Sequence, residues 1–99
     1  MKLIVQDQAK DSLKRSLHYL SIYYTVNYIN GLKRKVTQEL RWLKDHPQGG
    51  QFEPELGSSD LGYRRVIDGP FKIIYRVVND TIIVNDIFDA RRDPKDMKG

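Results

Sequence analysis

Apolar residues recur along this chain first with a helical period and then with the period of a strand. Leu13, Leu17, Leu20 and Tyr24 fall at i, i+4, i+7 and i+11, which is one face of a helix. Asp11, Lys14, Arg15, His18 and Ser21 lie largely off that face, and Asp7 is placed to cap the helix start. The pattern breaks at Tyr24-Thr25, where Thr25 can cap a second helix. Ile29, Leu32, Val36, Leu40 and Leu43 then follow at spacings of 3, 4, 4 and 3. Pro47 stops this helix, with His46 near its C-terminal end, where a cation is favourable. Two amphipathic helices with so short a connection predict an antiparallel αα-hairpin.

Tyr63 to Pro94 reads differently. Two two-residue turn signals, Asp68-Gly69 and Asn79-Asp80, are each flanked by β-branched and aromatic residues. Gly, Asn and Asp tolerate the positive φ of tight hairpin turns, so the stretch predicts a three-stranded antiparallel meander over 63–67, 71–78 and 81–89. In the long middle strand Phe71, Ile73, Tyr75 and Val77 are assigned inward, and Lys72, Ile74, Arg76 and Val78 outward. On the last strand both faces are mixed and alternation does not decide. Residues 2–6 form a short β run in which Leu3 and Val5 share a face, expected to pair beside the meander. Residues 47–62 carry Gly, Pro and Ser without periodicity and are read as a surface loop pinned by Phe52 and Leu56. The expected fold class is α+β, in the order β-α-α-β-β-β, as one domain over residues 1–99. Leu17, Leu20, Ile29, Val36, Leu40, Ile73 and Tyr75 are expected to be buried.

Composition narrows the chemistry. Cysteine is absent and there are only two histidines, which leaves no disulfide framework, no thiolate and little material for a zinc site. No cofactor or metal is expected. No apolar run approaches the roughly 20 residues of a membrane span, and the N-terminus lacks a signal-peptide core, so a soluble, cytoplasmic protein is expected. The net charge of +4 raises the question of an anionic partner, and its distribution matters. Residues 7–46 hold eight Lys/Arg against four Asp/Glu, whereas residues 47–99 hold eight against nine. The excess sits on the helical half, so any anion site on the sheet must be a local cluster.

Such a cluster is available. Lys72 and Arg76 project from the outward face, with Arg64 or Arg65 on the neighbouring strand and Arg91 and Arg92 just beyond the sheet end. Together they can hold a phosphate or carboxylate, or else form ordinary cross-strand ion pairs. Lys33-Arg34-Lys35 is either a solvated face or a binding patch. Tyr19, Tyr23, Tyr28 and Trp42 lie off the two apolar stripes. They either widen the core face or form an exposed patch for a partner. His18 reads as a solvated helix residue.

The element order, together with Gly69-Pro70-Phe71-Lys72-Ile73-Ile74-Tyr75-Arg76-Val77, the exit Arg91-Arg92-Asp93-Pro94 and the passage from Leu43 to Gly49, resembles the RelE/ParE superfamily of toxins from bacterial type II toxin–antitoxin systems. The resemblance covers essentially the whole chain. It implies a cognate antitoxin as partner, and a target that differs by branch. RelE-like members cleave mRNA on the ribosome; ParE-like members poison DNA gyrase. By position, Lys72 and Arg92 fall where the RNA-cleaving members carry two catalytic arginines, and Arg64 falls on the strand that supplies their lysines. Where many relatives have a His on the last strand this sequence has Asp89, and no Tyr or His follows Tyr75. Asp86 or Asp89 would serve as a base only with a substantially raised pKa. The pattern is closer to the ParE-like branch. An RNA-cleaving enzyme and an inactive member retained for antitoxin binding are the alternatives.

Overall fold

The computed structural model describes residues 1–99. Its elements run β1 (Lys2–Val5), α1 (Asp7–Ser21), α2 (Val26–Asp45), β2 (Gln51–Phe52), β3 (Arg64–Asp68), β4 (Phe71–Val78) and β5 (Thr81–Asp89), with single 3-10 turns at Pro54–Leu56, Ser59–Leu61 and Pro94–Asp96. Thr25 caps α2 as expected, its hydroxyl accepting from the Tyr28 N–H at 3.2 Å. Asp7 does not cap α1. Gln6 takes the extended cap position and Asp7 becomes the first helical residue, where its charge still suits the positive end of the helix dipole.

The two tight turns form at the expected positions, with Gly69 and Asn79 both at φ 55°. The sheet has five strands in the order β1-β5-β4-β3-β2. β1 joins parallel to β5, with Leu3 opposite Ile82 and Val5 opposite Val84; the other pairs are antiparallel. The fifth strand is β2, a two-residue strip inside the segment expected to be loop. It forms because Gln51 and Phe52 pair with Arg65 and Arg64.

Between β4 and β5 the register slips by one. Tyr75 faces Val84 while Ile74 faces Asp86, which leaves Asn85 as the extra residue of a bulge. The bulge explains the undecided face of the last strand. Ile82 and Val84 point to the helices before it and Ile87 after it, so a single alternation cannot describe β5.

The main core lies between the helices and one sheet face: Leu17, Leu20, Ile29, Leu32, Val36 and Leu43 meet Phe71, Ile73, Tyr75, Ile82, Val84 and Ile87. Leu40, expected to be buried, is half-buried at the edge of this core, and Tyr24 lies past the end of α1 and is exposed. The buried Tyr75 hydroxyl is satisfied by the Gly50 N–H at 2.8 Å. Gly50 is needed there, because a Cβ would stand 2.7 Å from that hydroxyl and from the Arg65 carbonyl.

Ile74 corrects the assignment of the outward face. It is fully buried with Phe88 and Met97 in a second small core, against which Leu56 and Tyr63 pack. The outer sheet face is therefore covered in its middle by the 53–63 segment and the C-terminal turn. Leu56 pins the former loop as expected, while Phe52 stays exposed beneath the Arg64 guanidinium.

Candidate functional site

Strand pairing sorts the candidate cations by face, because directly paired residues project to the same side. Arg65 pairs with Ile74 and Lys72 with Phe88, so both share the outer face, as does Arg76 two residues beyond Ile74. Arg64 pairs with Tyr75 and lies on the opposite, helix-side face. Its guanidinium sits 4.2 Å over the Phe52 ring and donates to the Gly50 carbonyl at 2.7 Å and the Gln48 carbonyl at 3.3 Å. Arg64 thus ties down the 48–50 turn and does not join the outer cluster.

The outer cations are already engaged. Glu53, only 2% exposed, places its carboxylate 3.4 Å from the Lys72 ammonium and 4.0 Å from the Arg65 Nε. Arg65 also donates to the Phe52 carbonyl at 2.6 Å. Arg76 lies 4.8 Å over the Tyr63 ring, with its buried Nε unpartnered. Glu53 carries no periodic signal in the sequence. Its role follows only from the β2–β3 pairing, which brings residue 53 alongside the strand that bears Arg65.

At the sheet end, Arg91 grips Asp89 through a fork of two side-chain bonds, at 3.0 and 2.6 Å, and its backbone N–H adds a third at 3.0 Å. The side-chain bond from Arg91 holds the Asp89 carboxyl below its ordinary range against the opposing effect of burial, and the same pairing raises Arg91. Arg92 reaches Asp96 at 3.7 Å and lies 5.5 Å from the centre of Phe88, the cross-strand partner of Lys72. Lys72 and Arg92 are therefore brought to one end of the sheet with Phe88 between them. Arg91 and Arg92 also border an open cleft of about 420 Å³ against Arg15, Ser16 and Tyr19 of α1.

Groups able to move a proton are poorly placed. Asp86 is buried and accepts from the Lys98 N–H at 3.0 Å. Tyr75 is sealed in the core, and burial raises its pKa. Tyr63 is the one phenol beside the outer cations. Arg76 covers its ring, and a Cβ at Gly99 would stand 3.0 Å from its hydroxyl. No three His, Cys, Asp or Glu side chains gather as a metal site.

Two surface features accompany the cluster. Between α1 and α2 runs an apolar groove of about 440 Å³, floored by Val5, Leu13, Leu17, Val36, Leu40 and Ile87 and edged by Lys10, Lys14 and Lys33. Leu13 and Leu40 are the half-buried members of the helical stripes, and nothing in their spacing set them apart from the buried ones. Tyr19, Tyr23, Tyr28 and Trp42 are all exposed, which decides for a surface patch over a widened core. Trp42 stands apart from the tyrosines, stacked on His46 at 4.5 Å.

Residues 3–94 match the family described as the ParE toxin of the type II toxin–antitoxin system parDE. A solved structure of a chromosomal ParDE toxin–antitoxin system from P. aeruginosa superposes with a TM-score of 0.74 at 18% identity, covering 90% of this chain and 95% of that one. No curated protein matches the sequence. No helix is long and apolar enough to cross a membrane.

Proposed function

We propose that this chain, which belongs to the ParE toxin family of type II toxin–antitoxin systems, arrests growth by poisoning DNA gyrase and not by cleaving RNA, while a cognate antitoxin holds it inactive. The observation that carries the choice of mechanism is the Asp89–Arg91 fork. Cleavage through the ribose 2′-hydroxyl needs a base within reach and with a pKa near the working pH. Asp89 stands where the resemblance puts the proton-transfer residue, yet Arg91 keeps it ionised and lowers its basicity. Lys72, one of the two cations that would stabilise the scissile phosphate, faces the buried Glu53, so much of its charge is offset internally. Asp86 is buried, with one carboxylate oxygen taken by the Lys98 N–H and the other sealed away without a partner. These features support a sheet face built for structure.

The groove between α1 and α2 supports the antitoxin reading. Its apolar floor suits the apolar stripe of an amphipathic segment, and its three lysines suit acidic residues along that segment's flanks.

The alternative, RNA cleavage of the RelE type, draws on the placement of Lys72 and Arg92 at one end of the sheet. Assaying purified protein for inhibition of gyrase supercoiling, and for cleavage of mRNA with and without ribosomes, separates the two. Gyrase inhibition without RNA cleavage is expected. Robust cleavage, lost about 100- to 1000-fold in both Lys72→Ala and Arg92→Ala, overturns the proposal, since that is the typical cost of removing one preorganised transition-state donor.

A further inference from the structure

The tip of the helical hairpin is built unlike the rest of the surface. In a chain that is 30% charged, no Asp, Glu, Lys or Arg occurs from Ser16 to Leu32. Six large apolar or aromatic side chains at this tip, Tyr19, Ile22, Tyr23, Tyr24, Val26 and Tyr28, are between 44% and 75% exposed. The fold does not need them there, because Leu17, Leu20, Ile29 and Leu32 already supply this end of the hairpin to the core. The rings are arranged in pairs: Tyr19 lies 5.4 Å from Tyr23, and Tyr24 is stacked 4.6 Å from Tyr28. Contiguous exposed apolar surface of this kind marks an interaction site, and paired tyrosines give it a fixed shape at low entropic cost.

We propose that this knob is the surface by which the toxin docks on the protein it inhibits, entering an apolar recess bordered by acidic side chains. The inference rests on the toxin reading above but not on which protein is the target. The recess must be acidic at its edge because cations flank the knob on both sides. Arg15 stands beside Tyr19 and Lys33-Arg34 follow the uncharged stretch on α2, none of them in an ion pair, whereas Arg91, 5.9 Å from the Tyr19 ring, is already held by Asp89. The groove proposed for the antitoxin is lined from residues 10–17 and 33–40, the other half of the hairpin, so the two surfaces are separate. A second copy of this chain is a poor occupant, since its own interhelical groove is edged by lysines that repel the cations beside the knob. A lipid surface has no use for the fixed shape of the paired rings.

The test uses the full chain carrying Tyr23→Ser or the pair Ile22→Ser with Val26→Ser, all at exposed positions. Growth arrest on induction, affinity for the cognate antitoxin, binding to purified gyrase and sedimentation with phosphatidylglycerol vesicles are compared with the wild type. Truncating a central anchor typically weakens an interface by about 30-fold or more. Loss of arrest and of gyrase binding on that scale is expected, with antitoxin affinity within about threefold as the check on folding. Variants that arrest growth like the wild type overturn the proposal. So does wild-type sedimentation with the vesicles that the variants lose, which would make the knob a lipid anchor. If wild-type toxin ignores gyrase, the gyrase reading fails alone. The knob is then judged on growth arrest, its loss supporting a different protein target and its retention overturning the docking role.

Discussion

At the scale of single residues, Phe71 is flanked across the sheet by Asp68 on β3 and Asp89 on β5, and the two carboxylates are perturbed in opposite directions. Burial raises Asp68, with Lys35 only partly opposing it, whereas the Arg91 fork lowers Asp89. The signs follow by linkage. Asp89, lower in the folded state than unfolded, contributes stability that is present above the ordinary carboxylate range and lost as pH falls through its folded value. Asp68, higher in the folded state, favours folding most below that range and loses this contribution as pH rises. Asp89→Asn is therefore expected to cost about 1–2 kcal/mol at neutral pH, at the low end for a charge-assisted bond because Arg91 is half exposed, and to flatten the acid limb of stability. Asp68→Asn should stabilise at neutral pH relative to pH 3. Urea unfolding at several pH values checks both, and an unchanged acid limb in Asp89→Asn would remove the fork from the account. The sequence placed Asp89 and Arg91 correctly at the sheet end. It did not reveal that they bind each other, because a two-residue separation across a strand end has no fixed geometry until the chain turns.

Among the elements, α2 shows how far periodicity reaches and where it stops. The spacing of Ile29, Leu32, Val36, Leu40 and Leu43 defines the buried stripe, but not which of its members the sheet covers. Leu43 is completely buried while Leu40 sits at the groove wall. Leu43→Ala and Ile73→Ala should each cost about 2–5 kcal/mol. Leu40→Ala should cost less, roughly 1–2 kcal/mol, since its side chain is only partly buried at the core edge. Denaturant midpoints decide. A Leu40 cost equal to that of Leu43 would mean that the groove is closed in solution. The meander was legible for the same reason as the helices, its turn residues and alternation being local signals. Two features were not. The bulge at Asn85 shifts the phase of β5 without any local mark, and the burial of Ile74 depends on Met97 arriving from the far end of the chain. Both are tertiary facts, and Glu53 meeting Lys72 is a third.

Over the whole molecule, charge is divided between the layers. All four ion pairs are made among residues from Glu53 onward, so the anion site expected on the sheet is largely neutralised from within. None of the eight Lys and Arg of residues 7–46 takes part in an ion pair, and the net charge of the helical half therefore faces outward. Three of those cations, Lys10, Lys14 and Lys33, edge the interhelical groove. If an antitoxin segment fills that groove, the lysines should govern encounter and the apolar floor residence. Exposed charges steer association through a long-range field that salt screens, whereas apolar contacts act only once the surfaces have met. Replacing all three lysines by Ala should slow association with the cognate antitoxin by on the order of tenfold at low salt and reduce the salt dependence of the rate, leaving dissociation nearly unchanged. Leu40→Ala should do the reverse, speeding dissociation with little effect on association. Binding kinetics over a series of ionic strengths distinguishes these patterns. An association rate indifferent to both salt and the triple substitution would place the antitoxin elsewhere on the surface.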